Sequence, residues 1–530
     1  MIKKRTFGTS ASKLLIAVFF LAAVIYPLCT LLFKLKDADL KKIFSSPLVG
    51  SSIVHSVVVS LTATVISVTL AFVLAWCMMR TRAKLKPLFR VLLILPMLVP
   101  SISHGMGLVI LFGANGKITR LLGLSNGLYG FWGIVIGSVM YSFPVAYLMI
   151  CDILQYENAA PYEAAAVLGI PKTSRLTAIT LPYLRKPLIN VFFATFTMIV
   201  TDYGVPLMVG GSYKTLPVIM YEEVIGRLNF DQGAVFGTLL LIPAVLAFLA
   251  DIFCKNRANS VVTKPFKIEK SPLRDTIATI IPALVSAAVV YPIFSFVQLT
   301  FAQKYPIDMS FTWHNIEATV DKGAMSYLGN SIIIALGVSV LGTVIAFISA
   351  YLTSRVPSKS TRILHLLSIT SLAIPGMVLG LSYVLAFKGS FIYGTFAILI
   401  LVKSIHFFSS PYLLFYNSMS KLSGDLEAVG ATLGVSRLHM IFDVFVPTLK
   451  STILESFSYF FVNCMMTISA VSFLANAFTR PVALMINQFE AQMQLEAAAF
   501  VSVAILAVNL ALKGIIALIK HFTKRRTRKV

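Results

Sequence analysis

Apolar runs of about 18 residues or more recur from one end of this chain to the other. A run of that length crosses roughly 30 Å of hydrocarbon as a helix. Lipid offers the backbone no hydrogen-bond partners, so a spanning segment must satisfy every N–H and C=O internally. The expected fold is therefore an all-α polytopic membrane protein. Composition agrees: 57% of residues are hydrophobic and 12% are charged, about half the charge of a soluble domain. Twelve spans are read at 14–33, 57–79, 88–112, 128–152, 188–210, 234–254, 276–299, 329–353, 363–387, 392–416, 451–474 and 497–519. The first follows a basic start but has no small-x-small cleavage site, so it is read as a retained helix rather than a signal peptide.

An even number of crossings puts both termini on one side of the membrane. Lys and Arg concentrate in the segments on that side, as in Arg80–Lys86 and the tail from Lys524 to Lys529. By the positive-inside bias that side is cytoplasmic. The net charge of +24 is thus spread in short loop clusters and does not describe a nucleic-acid surface. Five cysteines, Cys29, Cys77, Cys151, Cys254 and Cys464, lie in or beside apolar segments without metal-ligand spacing. They are expected to be free, buried thiols.

The chain repeats itself. Ser56–Arg80 reads like Ser331–Arg355 at an offset of 275, which also maps Pro100 onto Pro375 and Gly105 onto Gly380. Gly169 and Pro182 map onto Gly434 and Pro447 at an offset of 265. The expected organisation is two six-helix repeats, 1–265 and 266–530, of the same membrane orientation, related by an axis along the membrane normal. The bridge Lys255–Asp275 is basic and polar and suits a cytoplasmic linker.

Each repeat carries one long loop on the terminal side, at about 153–187 and 417–450. The first reads Glu163-Ala164-Ala165-Ala166-Val167-Leu168-Gly169, then Leu181-Pro182; the second reads Leu426-Glu427-Ala428-Val429-Gly430-Ala431-Thr432-Leu433-Gly434, then Val446-Pro447. Good helix formers followed by glycine predict a short helix ended by a left-handed cap, and Pro171 forbids simple continuation. For a single copy the alternative is an ordinary interfacial loop. Two copies with the same 13-residue Gly-to-Pro spacing predict a rigid knob on each repeat, offered to a partner.

This pattern resembles the Glu-Ala-Ala loop of permeases in binding-protein-dependent ABC importers. Glu163, Ala164, Ala165, Gly169, Ile179, Leu181 and Pro182 fall in place; in the second copy Glu427 stands one residue early, and Val429 and Gly430 replace alanines. The resemblance implies that the loops are coupling helices seated on two copies of a cytoplasmic ATPase subunit. That subunit would carry the ATP and magnesium, and an extracytoplasmic solute-binding protein would deliver the cargo. It implies a multi-pass protein of the bacterial inner membrane, in contact with lipid. The fused layout and the run Asp202–Gly211 are similar to the ferric-iron, thiamine and 2-aminoethylphosphonate branch, leaning towards phosphonate or ferric iron.

No cofactor is expected in this chain. Gly113-Ala114-Asn115-Gly116-Lys117-Ile118 lacks the spacing of a phosphate-binding loop and the hydroxyl residue after its lysine, so ATP hydrolysis is expected on a separate chain. Within the spans, Asp202, its neighbour Tyr203, and His104 are pathway candidates, because polar groups at membrane depth face a cavity or a partner. The structural alternatives are a paired carboxylate for Asp202 and a hydrogen-bonded interior imidazole for His104. The rival function is a twelve-helix secondary transporter, which needs ion-coupling residues in both halves; the region equivalent to Asp202, Ser469–Phe473, has no acid.

Overall fold

The computed structural model describes residues 7–123, 127–254, 264, 266, 268–356 and 358–527. Most of the expected linker, 255–263 with 265 and 267, and the end of the basic tail lie outside them. The chain is a helical membrane protein, and a two-stranded hairpin, Ala302–Lys304 with Asp308–Phe311, interrupts the helices. Among the described residues, seven helices are long and apolar enough to cross a membrane, and ten spans result if three bent helix pairs each count as one.

The seven straight spans are Ser10–Asp37, Pro47–Arg80, Phe131–Gln155, Phe230–Ala250, Pro272–Thr300, Ala324–Arg355 and Leu495–Thr523. Pro47–Arg80 shows how such a helix tolerates hydroxyls. Ser52, Ser56, Ser60, Thr64 and Ser67 recur near every fourth position on its buried side. Ser56 and Thr64 donate back to carbonyls one turn earlier at 2.8 and 2.6 Å, and Ser67 Oγ meets Ser142 Oγ at 2.8 Å. Small polar residues let this helix approach Phe131–Gln155 closely and bond across the contact.

The third expected span of each half is not straight. Lys86–Leu98 turns into Ser101–Leu121 at 101°, and Lys359–Ala373 turns into Gly376–Phe387 at 109°. The turns fall at Pro100 and Pro375, the prolines at matched positions. Proline pushes the residue before it out of the helical region, and Val99 and Ile374 are extended, with ψ of 148° and 112°. The span expected at 392–416 is Phe396–His406 followed by Ser409–Ser420, bent by 53°. The spans expected at 188–210 and 451–474 are Leu181–Val200 and Lys450–Met466, which do not pass as spans. Each breaks near its far end, and the first also opens with Arg185 and Lys186.

The halves interlock through their first spans. Pro272–Thr300, which opens the second half, packs on Lys86–Ile94, Ser101–Phe112 and Pro47–Arg80 of the first. Phe7–Phe20 and Tyr26–Lys34, which open the first half, pack on Lys359–Ile369, Ala324–Arg355 and Gly376–Phe387 of the second. Tyr383 donates to Ala23 O at 2.6 Å in this second contact. One large core cluster draws buried residues from both halves. Of the cysteines expected to be buried, Cys77 and Cys464 are, whereas Cys151 is half-buried and Cys29 is exposed. The surroundings of Cys254 lie outside the described side chains.

Candidate functional site

The two long loops fold alike. Ala160–Val167 ends at Leu168, and Gly169 follows with φ +70°; Leu426–Thr432 ends at Leu433, and Gly434 follows with φ +71°. Ile170 N donates to Ala165 O at 2.9 Å and Gly169 N to Ala166 O at 3.2 Å; Val435 N donates to Gly430 O at 2.8 Å and Gly434 N to Ala431 O at 3.3 Å. This pair of bonds, outer and inner, is the Schellman closure that a left-handed residue after the helix makes available. A Cβ on either glycine would meet nothing within 4 Å, so backbone conformation alone asks for glycine there.

Beyond the caps the copies stay in step. Lys172–Arg175 and Arg437–Met440 are followed by wide five-residue π turns, Leu176–Thr180 and Ile441–Phe445. Pro182 and Pro447 then stand in the first turn of the helices beginning at Leu181 and Val446, where a missing N–H is harmless. Leu168 and Leu433, 76% and 73% exposed, project from equivalent positions, flanked by exposed Val167 and Val429. Both turns thus hold apolar side chains out from the molecule at matched positions. The sequence reading picked Ala164, Ala165 and Ala428 and passed over these leucines. Ala165 is buried under its helix while Ala164 and Ala428 are exposed. Gly430 stands at the position of Ala165, and an added Cβ would meet Met440 Sδ at 2.4 Å. The thioether takes the space of the methyl, which is why the second motif departs from alanine.

An arginine ties each knob to the end of a straight span. Arg80 Nη2 bonds Leu154 O at 2.8 Å and Glu157 Oε2 at 2.5 Å. Tyr162 Oη donates to the other oxygen, Glu157 Oε1, at 2.5 Å. Burial, then the hydrogen bond to Glu157, holds the Tyr162 phenol above its usual pKa, so it stays a donor. Arg355, 275 residues after Arg80, reaches the equivalent carbonyl, Met419 O, at 3.4 Å. It closes instead on Glu427 itself, Nε to Oε1 at 2.6 Å and Nη2 to Oε2 at 2.5 Å. Glu427 therefore occupies the place of Tyr162 and does what Glu157 does. Glu163, by contrast, is solvated and pairs with Lys264 at 2.6 Å. The linker continues this contact: Ala159 N donates to Lys264 O at 3.1 Å, and Phe266 stacks edge-on with Tyr162 and under the Arg80 guanidinium.

The pathway candidates do not form one cluster with the loops. Asp202 lies at the break after Leu181–Val200 and caps the next helix, Gly204–Val209: Gly204 N and Val205 N donate to its two oxygens at 3.4 and 3.0 Å. Those N–H groups have no partner within the helix, and a carboxylate satisfies them best. His104 is buried, with Nε2 3.0 Å from Pro96 O. Tyr203 sits on the seam between the halves. Its ring stacks on Tyr221 at 5.1 Å and its hydroxyl lies 2.7 Å from Ser472 Oγ. Asn487 Nδ2 donates to Tyr221 Oη at 2.9 Å. Ser103 Oγ and Ser502 Oγ, 2.9 Å apart, make a second polar contact across the halves. Tyr221, Ser472 and Asn487 were not legible in sequence, because no local motif joins residues more than 260 positions apart. At the equivalent break of the second half there is no acid. Instead the buried Lys403 donates to Cys464 O, near the end of Lys450–Met466, at 2.6 Å.

The sequence pattern of a family described as the inner membrane component of binding-protein-dependent transport systems matches residues 67–258 and 340–525. A ferric transport system permease protein, FbpB, of Actinobacillus pleuropneumoniae is 26% identical over 435 residues, covering 78% of this chain and 63% of the relative. A putative ferric transport system permease protein of Haemophilus influenzae is 25% identical over 433 residues, covering 78% and 68%. The thiamine transport system permease protein ThiP of Escherichia coli is 25% identical over 233 residues, covering 44% and 42%. The chain thus spans about two thirds of the length of the ferric relatives it matches.

Proposed function

The chain belongs to the family of inner membrane components of binding-protein-dependent transport systems, and from that premise we propose that it is the translocation subunit of an ATP-driven importer. The observation that carries this reading is the pair of Schellman-capped helices, each projecting a leucine and each tied to the arginine that ends a straight span, through Glu157 and Tyr162 in the first half and directly through Glu427 in the second. Such a helix takes force at its exposed face and delivers it to the span behind. Two separate ATPase chains, one per helix, would supply that force by closing on ATP. Both termini and both knobs then face the cytoplasm, and a solute-binding protein docks on the opposite side.

Rigid-body movement of interlocked halves gives alternating access. The seam of Tyr203, Tyr221, Ser472 and Asn487 is the gate in this reading, with Asp202 and His104 holding the irregular backbone beside it. The division at 265 and 266 marks the repeats, although their first helices are exchanged. The cargo that the ferric relatives support is ferric iron; 2-aminoethylphosphonate has no such support.

Two measurements test the proposal. Gly169→Asp with Gly434→Asp is expected to abolish solute-stimulated ATP hydrolysis and uptake while the protein still inserts; normal uptake by the double variant refutes the coupling role. In cells lacking the chain, labelled ferric iron accumulation is expected to fall and to return on complementation. Unchanged iron accumulation with loss of another solute keeps the importer and replaces the cargo.

A further inference from the structure

On the face of the molecule opposite the knobs, the first span of each half meets the end of the third span of the other half. The face is fixed by the course of Pro272–Thr300. It begins beside Arg82, whose N–H bonds Asp275 at 3.1 Å, and the chain leaves it beside Asn115, whose carbonyl accepts from Tyr305 at 3.0 Å. There lies a cavity of about 730 Å³. Its floor is Phe294, Val297 and Phe301 from the outer end of the span, and its rim is Lys117 and Arg120 with Met309 and Phe311 of the hairpin.

The floor is lipid-facing: Phe294 and Val297 are exposed on a membrane span. The hairpin carries a further sign of the membrane boundary. Phe301, Phe311 and Trp313 stack on one another at 5.2 to 5.5 Å, and Phe311, Trp313 and Ile307 remain exposed. Aromatic clusters of this kind sit at the headgroup level of a bilayer. Among the described residues, neither Lys117 nor Arg120 has a carboxylate within ion-pair distance. Arg120 Nη1 donates to Pro306 O at 3.4 Å. Two cations thus stand over an apolar slot at the depth where phosphates meet acyl chains.

The corresponding cavity of the other contact supplies the contrast. It measures about 430 Å³ and is lined by Thr30, Lys34, Asp231 and Lys388, among others. Lys34 is neutralised there by Asp37 at 2.9 Å and Asp231 at 3.1 Å, and Lys388 lies over the Phe230 ring. The same place in the fold is charge-balanced in one copy and cationic in the other.

We propose that the larger cavity binds one anionic phospholipid of the phosphatidylglycerol class. Its phosphate lies between Lys117 and Arg120, and the upper part of one acyl chain lies against Val297 and Phe301. The site is independent of the cargo and of the coupling helices. In the test, the full chain in mild detergent is offered equal amounts of phosphatidylglycerol and phosphatidylethanolamine, and retained lipid is measured by native mass spectrometry. One phosphatidylglycerol per chain is expected. Retention should fall about tenfold or more in Lys117→Gln/Arg120→Gln, since each cation near a membrane surface contributes on the order of a fivefold preference. Lys388→Gln, in the balanced cavity, should leave it unchanged. Val297→Trp fills the slot without touching the cations and should lose the lipid too. Equal retention of the two lipids, undiminished retention in the double variant, or displacement by soluble glycerol phosphate as readily as by phosphatidylglycerol each overturns the proposal.

Discussion

The two halves anchor the same arginine in different ways. Arg80 closes on Glu157, in the turn before its knob, and Tyr162 on the knob holds that glutamate from the other side. Arg355 closes on Glu427, inside the knob. In the first half the knob reaches the span through a neutral relay; in the second it is bonded to the span by a bidentate ion pair, the stronger and more directional link. The linker compensates the first half. Phe266 lies under Arg80 and against Tyr162, and Lys264 pairs with Glu163. Among the described residues, no equivalent segment covers the second knob. The arginines hold matched positions in the two halves, and the acids that meet them come from different places in the loop.

The largest way to break the comparison is Glu157→Gln. Its side chain is 2% exposed, so Arg80 is left as a buried cation with reduced partners. Removing one member of such a pair typically costs about 3–5 kcal/mol, which is read as a fall in unfolding stability in detergent. Glu427→Gln is expected to cost less stability, about 1–3 kcal/mol, because Arg355, although 6% exposed, keeps the carbonyls of Leu422 and Ser423. Uptake should suffer more than stability does, since the broken bond is the link between knob and span. A graft sharpens the point: Tyr162→Glu with Glu157→Leu gives the first half the pattern of the second, where Leu422 stands at the position of Glu157. It should recover most of the stability lost in Glu157→Gln, and failure to do so would mean that the linker fixes the first geometry. Gly169→Ala and Gly434→Ala force a Cβ into positive φ and should each cost about 1 kcal/mol. Lys264→Ala removes an exposed pair and should change stability by no more than about 0.5 kcal/mol.

The alignment of the motif in the second half is where sequence reasoning went astray. Glu427 was treated as Glu163 displaced by one residue, since both are acids near the start of a helix. In space Ala428 stands at the position of Glu163, and Glu427 at that of Tyr162, an exchange no similarity of residue type suggests. At Asp202 an acid beside a glycine and a proline in an apolar segment points to a pathway, and the structure adds that its oxygens accept from the N–H groups of the helix it starts. The bends at Pro100 and Pro375 could have been anticipated from proline chemistry, but an uninterrupted apolar run masked them.

The sequence by itself determined the helical membrane class, the internal repeat, and the two glycines that end the knobs in a left-handed turn. Each of these follows from properties carried by a residue and its near neighbours: transfer of apolar side chains out of water, absence of a Cβ, absence of an N–H. The tertiary structure alone decided which acid meets each arginine, that the first spans are exchanged between halves, and that one of two equivalent cavities keeps its cations unbalanced. Those outcomes depend on groups tens to hundreds of residues apart arriving within 3 Å or so of each other. Hydrogen bonds and ion pairs are selected by distance and direction in space, and spacing along the chain carries no record of either.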